Sequence, residues 1–451
     1  MNDYEKYMND LFKISYTERF IFGKRDKETL SNYENYLSKE YIKKTNDLII
    51  KYKDTKDIEL KLLIETEEYS NNNGLYYFLY SSYVNFIIDF EDDNINLYPK
   101  NDKYKKKREE DFKILVKTSI ERAKEGIKLN ITYPKIIIKK FMEQIKDNFK
   151  WNFLYNFIKN QYYPKCRNEI GLCYIKNGKD IYRNILKENV GYLDISPEEI
   201  HKIGLELISK TTKNKKTDTY KSRNEMLDDC IRYAKYLYDE VLDKYFHYKP
   251  KNSFKIYQMD EIMEKNSPLG FYKPLEHKVF INLSFFNEIS KTEIHSLIMH
   301  ECIHSFHFDF MKFYKLPKYK YFKYSNNALV EGFAFYMEIY CDGYNDDTNL
   351  MTIMRKLRLI VDTGINYYGW TYKKAFEYMK SYLPTQINDI KNEIERYICM
   401  PSQAISYMIG KLHIIKLRDI YLNKGGDIRD FHHILLMEGL ASFKLIDKQF
   451  E

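Results

Sequence analysis

Only 16 glycines and 10 prolines punctuate 451 residues. Tight reverse turns draw on these two residues, so a chain this poor in them is not built from many short strands joined by turns. Long helices remain, and the expected fold class is mainly α. Hydrophobic residues at 44% and charged residues at 31% are ordinary globular usage, which excludes a disordered chain and a membrane bundle. No run reaches the roughly 18 apolar residues of a membrane span. The 44 tyrosines and 28 phenylalanines read as compositional bias, not as a ligand surface.

Lys and Arg number 73 against 65 Asp and Glu, a net charge of +8. Two basic stretches contribute, Lys103 to Arg108 and Thr211 to Arg223. Glu109-Glu110-Asp111 offset the first at once, and Thr and Asn dilute the second, so both read as solvated helix ends or loops. Nucleic acid is therefore an unfavoured partner. Six cysteines, none in C-x-x-C spacing, read as free thiols. The polar start Met1-Asn2-Asp3-Tyr4 resembles no signal peptide, and the expectation is a soluble cytoplasmic protein without a membrane partner.

Residues 1–170 read as an N-terminal helical region of charged amphipathic helices, such as Glu59 to Glu68 and Asp111 to Gly126, with polar joints around Asn71 to Asn73 and Asn94 to Lys107. Residues 171–451 read as a catalytic region continuous with it. Gly171 to Tyr174 and the turn Asn177-Gly178 suggest a short hairpin. Ser196-Pro197-Glu198-Glu199 then starts a helix reaching about Lys210. Glu276 to Leu283 alternates Val279, Ile281 and Leu283 with Lys278, Phe280 and Asn282, the period of a strand.

Ser290 and Glu293 form a capping-box pattern, and Ile294, Leu297, Ile298 and Ile303 supply an apolar stripe, so a helix runs from here and stops before Pro317. Within it lies His300-Glu301-Cys302-Ile303-His304, an H-E-x-x-H motif that sets two imidazoles one turn apart on one face. With ten histidines in the chain, chance yields such a motif on the order of 0.02 times per sequence. A third ligand is needed, and its strongest candidate is Glu331, in a second helix that Asn327 can cap and Gly343 can follow; Glu331, Ala334 and Glu338 share a face of it. Gly332 would let backbones approach closely. His307 stands where the metzincin extension has Gly and Phe310 where it has a third His, which favours a glutamate-ligand site.

One Zn²⁺ held by His300, His304 and Glu331 acidifies water beside it to a pKa of roughly 7, and Glu301 stands where a carboxylate takes the proton and later delivers it to a leaving amine. The strand before the motif helix can offer its edge to an extended peptide. The expected substrate is a peptide or short oligopeptide.

Over most of its length the chain also resembles the Domain of Unknown Function 885 family, metallopeptidases grouped with the zincins. The resemblance is carried by Glu125-Gly126-Ile127 with Tyr133-Pro134, by Tyr182 to Leu186, by Ser196 to Gly204, and by the H-E motif. It continues through Glu331-Gly332-Phe333-Ala334-Phe335-Tyr336-Met337-Glu338, Arg358 to Gly364 with Gly369-Trp370-Thr371, Arg396-Tyr397 with Pro401 to Gly410, and Phe431-His432 to Gly439. It implies a mostly helical zincin with a small edge sheet before the motif helix, His300 and Glu331 as zinc ligands and Glu301 as general base. The family follows H-E with x-x-P-G-H-H. Here His304 and Ser305 fill the Pro and Gly positions, Phe306 replaces the first His of the pair, and His307 falls on the other. Two candidates for the second imidazole thus stand, His304 at the i+4 position and His307. Asn366 stands where the family commonly has His.

Tyr397 and Tyr407 are the candidate oxyanion donors. Arg396 either binds a substrate carboxylate, as suits a carboxypeptidase or dipeptidase, or pairs within the fold. Asp362 is a candidate to orient a ligating imidazole. The rival readings are a zincin fold that binds without catalysis and a basic nucleic-acid-binding protein. Oligomeric state is not encoded in any of these features.

Overall fold

Helix dominates, many of the helices begin at side-chain caps, and several of the few glycines, Gly204, Gly332 and Gly410 among them, lie inside helices. The computed structural model describes residues 2–72, 103–212, 218–264, 267–274, 276–324 and 326–451. The described residues form two compact units, each discontinuous in sequence: Met1–Leu186 with Val361–Lys380 and Gln386–Ser402, and Lys187–Ile360 with Ser381–Thr385 and Gln403–Glu451.

In the first unit, Glu59 to Glu68 lies within helix Ile58–Asn72 and Asp111 to Gly126 within helix Lys105–Lys128. The latter buries Phe112, Leu115 and Val116, and Phe112 meets the ring of buried Trp151 edge-on at 5.7 Å. Most of the polar joint from Asn94 to Lys107 lies outside the described residues, and its last three residues are helical. Lys107 pairs with Asp111 at 3.2 Å, while Arg108 is buried and donates to the carbonyl of Leu30.

No hairpin forms at residues 171–178. Leu172–Tyr174 is a single tight helical turn, and Gly178 opens helix Gly178–Asn189. Asn177 adopts a left-handed φ of 57°, and its carbonyl accepts from the amides of Asp180 and Ile181. The turn residues therefore start a helix instead of joining two strands. A Cβ on Gly178 would lie 1.7 Å from the Leu172 carbonyl oxygen, so glycine is required by that close approach.

The second unit begins its helices as the capping patterns dictate. Ser196 and Glu199 exchange capping-box bonds at the head of Pro197–Ile208, and Ser290 and Glu293 do so for Lys291–Phe313, the motif helix. Residues 213–217 of the second basic stretch lie outside the described residues; Ser222, close to its end, caps Arg223–Tyr236. The glutamate helix, Asn327–Met337, is capped by Asn326 and not by Asn327, its side chain accepting from the Leu329 amide. A one-turn helix, Glu338–Tyr340, ends it, and Gly343 follows at φ 72°.

A small sheet precedes the motif helix: β1 (Ile256–Gln258), β2 (Gly270–Lys273) and β3 (Lys278–Ile281), in the order β1-β3-β2. β3 is the strand read from the alternating sequence, and it is central, parallel to β1 and antiparallel to β2. Both its edges are used, which corrects the expectation that this strand offers an edge to a peptide. The outer strand beside the motif helix is β2: Tyr272, opposite Val279, turns its amide away from β3 and donates to Glu301 at 2.7 Å.

Gly332 does bring two backbones together, but its partner is helix Ser406–Asn423 and not the motif helix. A Cβ on Gly332 would lie 2.5 Å from Cα of Gly410, and one on Gly410 only 1.8 Å from the carbonyl oxygen of Ala328. Backbone cannot rotate aside as a side chain can, so Gly410→Ala must push the two helices apart. The expected cost is about 3 kcal/mol, at the upper end for overpacking. It should appear as a loss of several degrees in a thermal melt; an unchanged transition would show that the helices separate freely.

Candidate metal centre

Because the motif helix is uninterrupted, His300 and His304 project from one face, their rings 4.7 Å apart and nearly perpendicular. Glu331, from the first half of the glutamate helix, meets both. Its Oε2 lies 3.3 Å from Nε2 of His300 and 3.5 Å from Nε2 of His304. One ligand atom from each of the three residues lies within 4.8 Å of the others. His307 is not in this group. It is buried, its ring meets Phe333 edge-on at 5.9 Å, its Nε2 has no hydrogen-bond partner, and burial pushes its pKa down to about 3.

The other nitrogen of His300 is held by a residue that the sequence marked only as sharing a helix face with Glu331. Nδ1 lies 2.9 Å from Oε1 of Glu338, and Glu338 is itself tied to Ser296 and, at 2.9 Å, to Arg355. A proton on Nδ1 facing a carboxylate leaves the Nε2 lone pair directed at the group's centre. The electrostatics follow the same contacts. Burial alone would lower the His300 pKa, but the Glu331 and Glu338 carboxylates outweigh it and raise the ring to about 9. Burial likewise works against ionised Glu331, yet the two imidazoles hold its carboxyl well below the usual range.

Glu301, buried on the same helix, accepts the Tyr272 amide through Oε2. Oε1 has no hydrogen-bond partner among the described residues. Tyr407, in helix Ser406–Asn423, stands with its ring 6.1 Å from that of His300 and nearly parallel to it. The guanidinium of Arg358 lies 4.7 Å from the Tyr407 centroid.

The remaining expected residues lie in the first unit. Tyr397 is fully buried and donates to Glu393 at 2.8 Å, and Arg396 pairs with the same carboxylate at 3.2 Å. Asp362 does not orient an imidazole. Its carboxylate accepts from the Tyr182 hydroxyl at 2.7 Å and from the Ser402 amide at 2.9 Å, and burial pushes its pKa up to about 7. Asn366 binds the Tyr397 carbonyl and the Leu172 amide, so it serves backbone packing.

Two neutral-capable imidazoles and a carboxylate, converging from two helices, are the donor types and number that suit a four-coordinate divalent ion of the zinc type with one position open. The donor set therefore fits the metal expected from the motif.

The fold recurs in two solved structures. A candidate lipoprotein from Colwellia psychrerythraea is 18% identical, with a TM-score of 0.77 over 99% of this chain and 97% of its own. A candidate lipoprotein of unknown function from Shewanella oneidensis is 17% identical, with a TM-score of 0.60 over 98% of each chain. A search of curated proteins returns no match. Among the described residues, no helix is long and apolar enough to cross a membrane. Residues 208–450, more than half of the chain and the part that contains the His300, His304 and Glu331 group, match the family described as bacterial protein of unknown function DUF885, and the chain belongs to that family.

Proposed function

We propose that this protein is a zinc-dependent metallopeptidase of zincin type that hydrolyses peptides or short oligopeptides. The observation that carries the reading is the convergence of His300, His304 and Glu331 within 4.8 Å, with Glu301 on the intervening turn. A zinc ion bound by these three residues would polarise a scissile carbonyl and make adjacent water more acidic.

Everything else is the work of the chain's own groups. The Tyr272 amide anchors one oxygen of Glu301 and leaves the other to take a proton from water and return it to the leaving amine. Tyr407 offers a hydroxyl for the charge that develops on the carbonyl oxygen. In an antiparallel pair the residues alternate in direction, so the carbonyls of Gly270 and Tyr272 face the outer edge of β2, where an extended peptide can add its main chain.

Metal content tests the reading. The purified, dialysed chain should hold about one zinc and cleave peptides, and a chelator should abolish both until zinc is restored. A metal-free chain that cleaves at the same rate would exclude the mechanism. Glu338→Gln removes a charge from the partner of His300 without touching a ligand, and metal affinity is expected to fall about 10–100-fold by competition with a chromogenic chelator.

The six free cysteines support a reducing, cytoplasmic setting for this activity, whereas the two candidate lipoproteins of the same fold favour the cell envelope. Fractionation of the native host separates the two, and recovery in the membrane fraction would exclude the cytoplasm.

A further inference from the structure

A second group of donors lies elsewhere in the same unit. His247, on the segment leading into β1, faces the start of helix Ile428–Met437, where Asp427 is the N-cap and Asp430 sits in the first turn. One ligand atom from each of the three lies within 4.8 Å of the others, and all three residues are exposed. Nε2 of His247 is 2.7 Å from Asp430. A second imidazole, His433, stands one turn beyond Asp430, its ring centroid 6.3 Å from that of His247, and its buried Nδ1 has no hydrogen-bond partner.

An ion pair between His247 and Asp430 accounts for two of these residues, and the third, Asp427, is the N-cap of the helix. Its carboxylate caps the helix through the Arg429 amide at 2.9 Å, yet it is held close to a second carboxylate, and like charges this close repel unless a cation compensates. The Arg429 side chain pairs with Asp427 at 3.4 Å, but with both partners nearly half exposed that pair is weak.

We infer that His247, Asp427 and Asp430 form a second, solvent-facing site for a borderline divalent ion such as zinc or nickel. Imidazole beside carboxylates selects such ions over magnesium or calcium, and the exposure of all three side chains provides the entry path. The ion would tie helix Ile428–Met437 to the segment that supports the motif helix from behind. The neighbours of His247 do that packing: Phe246 lies 4.2 Å from Phe306 and Tyr248 4.6 Å from Phe313, both on the motif helix.

Titration calorimetry with zinc on the chelator-stripped full-length chain tests this independently of any activity. The wild type should take up two equivalents, one tightly and one weakly. H247A and, separately, D430N should each remove the weak equivalent alone, and the double variant H300A/H304A should keep it. Loss of the tight equivalent only would count against the peptidase reading and leave this site standing. If H300A/H304A binds no zinc, or if H247A and D430N both retain two equivalents, the second site does not exist.

Discussion

Glu301→Gln is expected to lower the rate of peptide hydrolysis by about 10²–10⁴-fold while leaving zinc content unchanged. Glutamine has the size of glutamate, and its amide oxygen can still accept the Tyr272 amide now bound at 2.7 Å, so the local fold is retained. What it lacks is the ability to take a proton and give it back. Glu301 is also outside the group of converging ligand atoms, so its replacement does not remove a donor. Turnover at the wild-type rate with zinc still bound would overturn its role as general base. Parallel loss of zinc and activity would instead assign Glu301 to holding the metal.

The reach of the sequence follows the range of the interactions involved. Capping boxes are local, so Ser196 with Glu199 and Ser290 with Glu293 were legible, and the motif helix with them. The cap of the glutamate helix moved by one residue, from Asn327 to Asn326, because both side chains are chemically able to fill it. Asn177-Gly178 carries the signal of a hairpin and yet opens a helix, because the same left-handed residue that closes the one also starts the other. β3 was visible through its alternation, whereas β2 is half-buried at all four positions and carries no such pattern. Its edge, the one beside Glu301, could be found only from the pairing.

Contacts between distant segments were the least legible. Asp362 was the candidate to orient an imidazole and Glu338 was marked only by the helix face it shares with Glu331, because nothing local distinguishes a carboxylate that meets His300 from one that meets Tyr182 and Ser402. The spacing of Glu331 and Glu338, two turns apart on one face, was the available signal. The choice between His304 and His307 had a simpler basis. The i+4 position places His304 beside Glu331, whereas His307, a further turn along, packs against Phe333.

The two candidate oxyanion donors separate on the same grounds, and Tyr407→Phe is expected to lower kcat about 10²–10³-fold with little change in KM. A hydroxyl that meets charge only as the carbonyl is attacked contributes to the transition state and not to substrate binding, so its loss falls on kcat. Tyr407 stands beside His300, its ring 6.1 Å from the imidazole, with the Arg358 guanidinium 4.7 Å from its own ring centroid. Tyr397 lies in the first unit, apart from the metal ligands, and donates to Glu393 from a fully buried position. Tyr397→Phe should therefore cost about 1 kcal/mol of stability through the lost hydrogen bond and leave kcat near wild type. Steady-state kinetics on the two variants with a single peptide substrate decides between them. A large kcat loss in Tyr397→Phe with none in Tyr407→Phe would reverse the assignment, and equal small losses would mean that the carbonyl oxygen is stabilised by another donor.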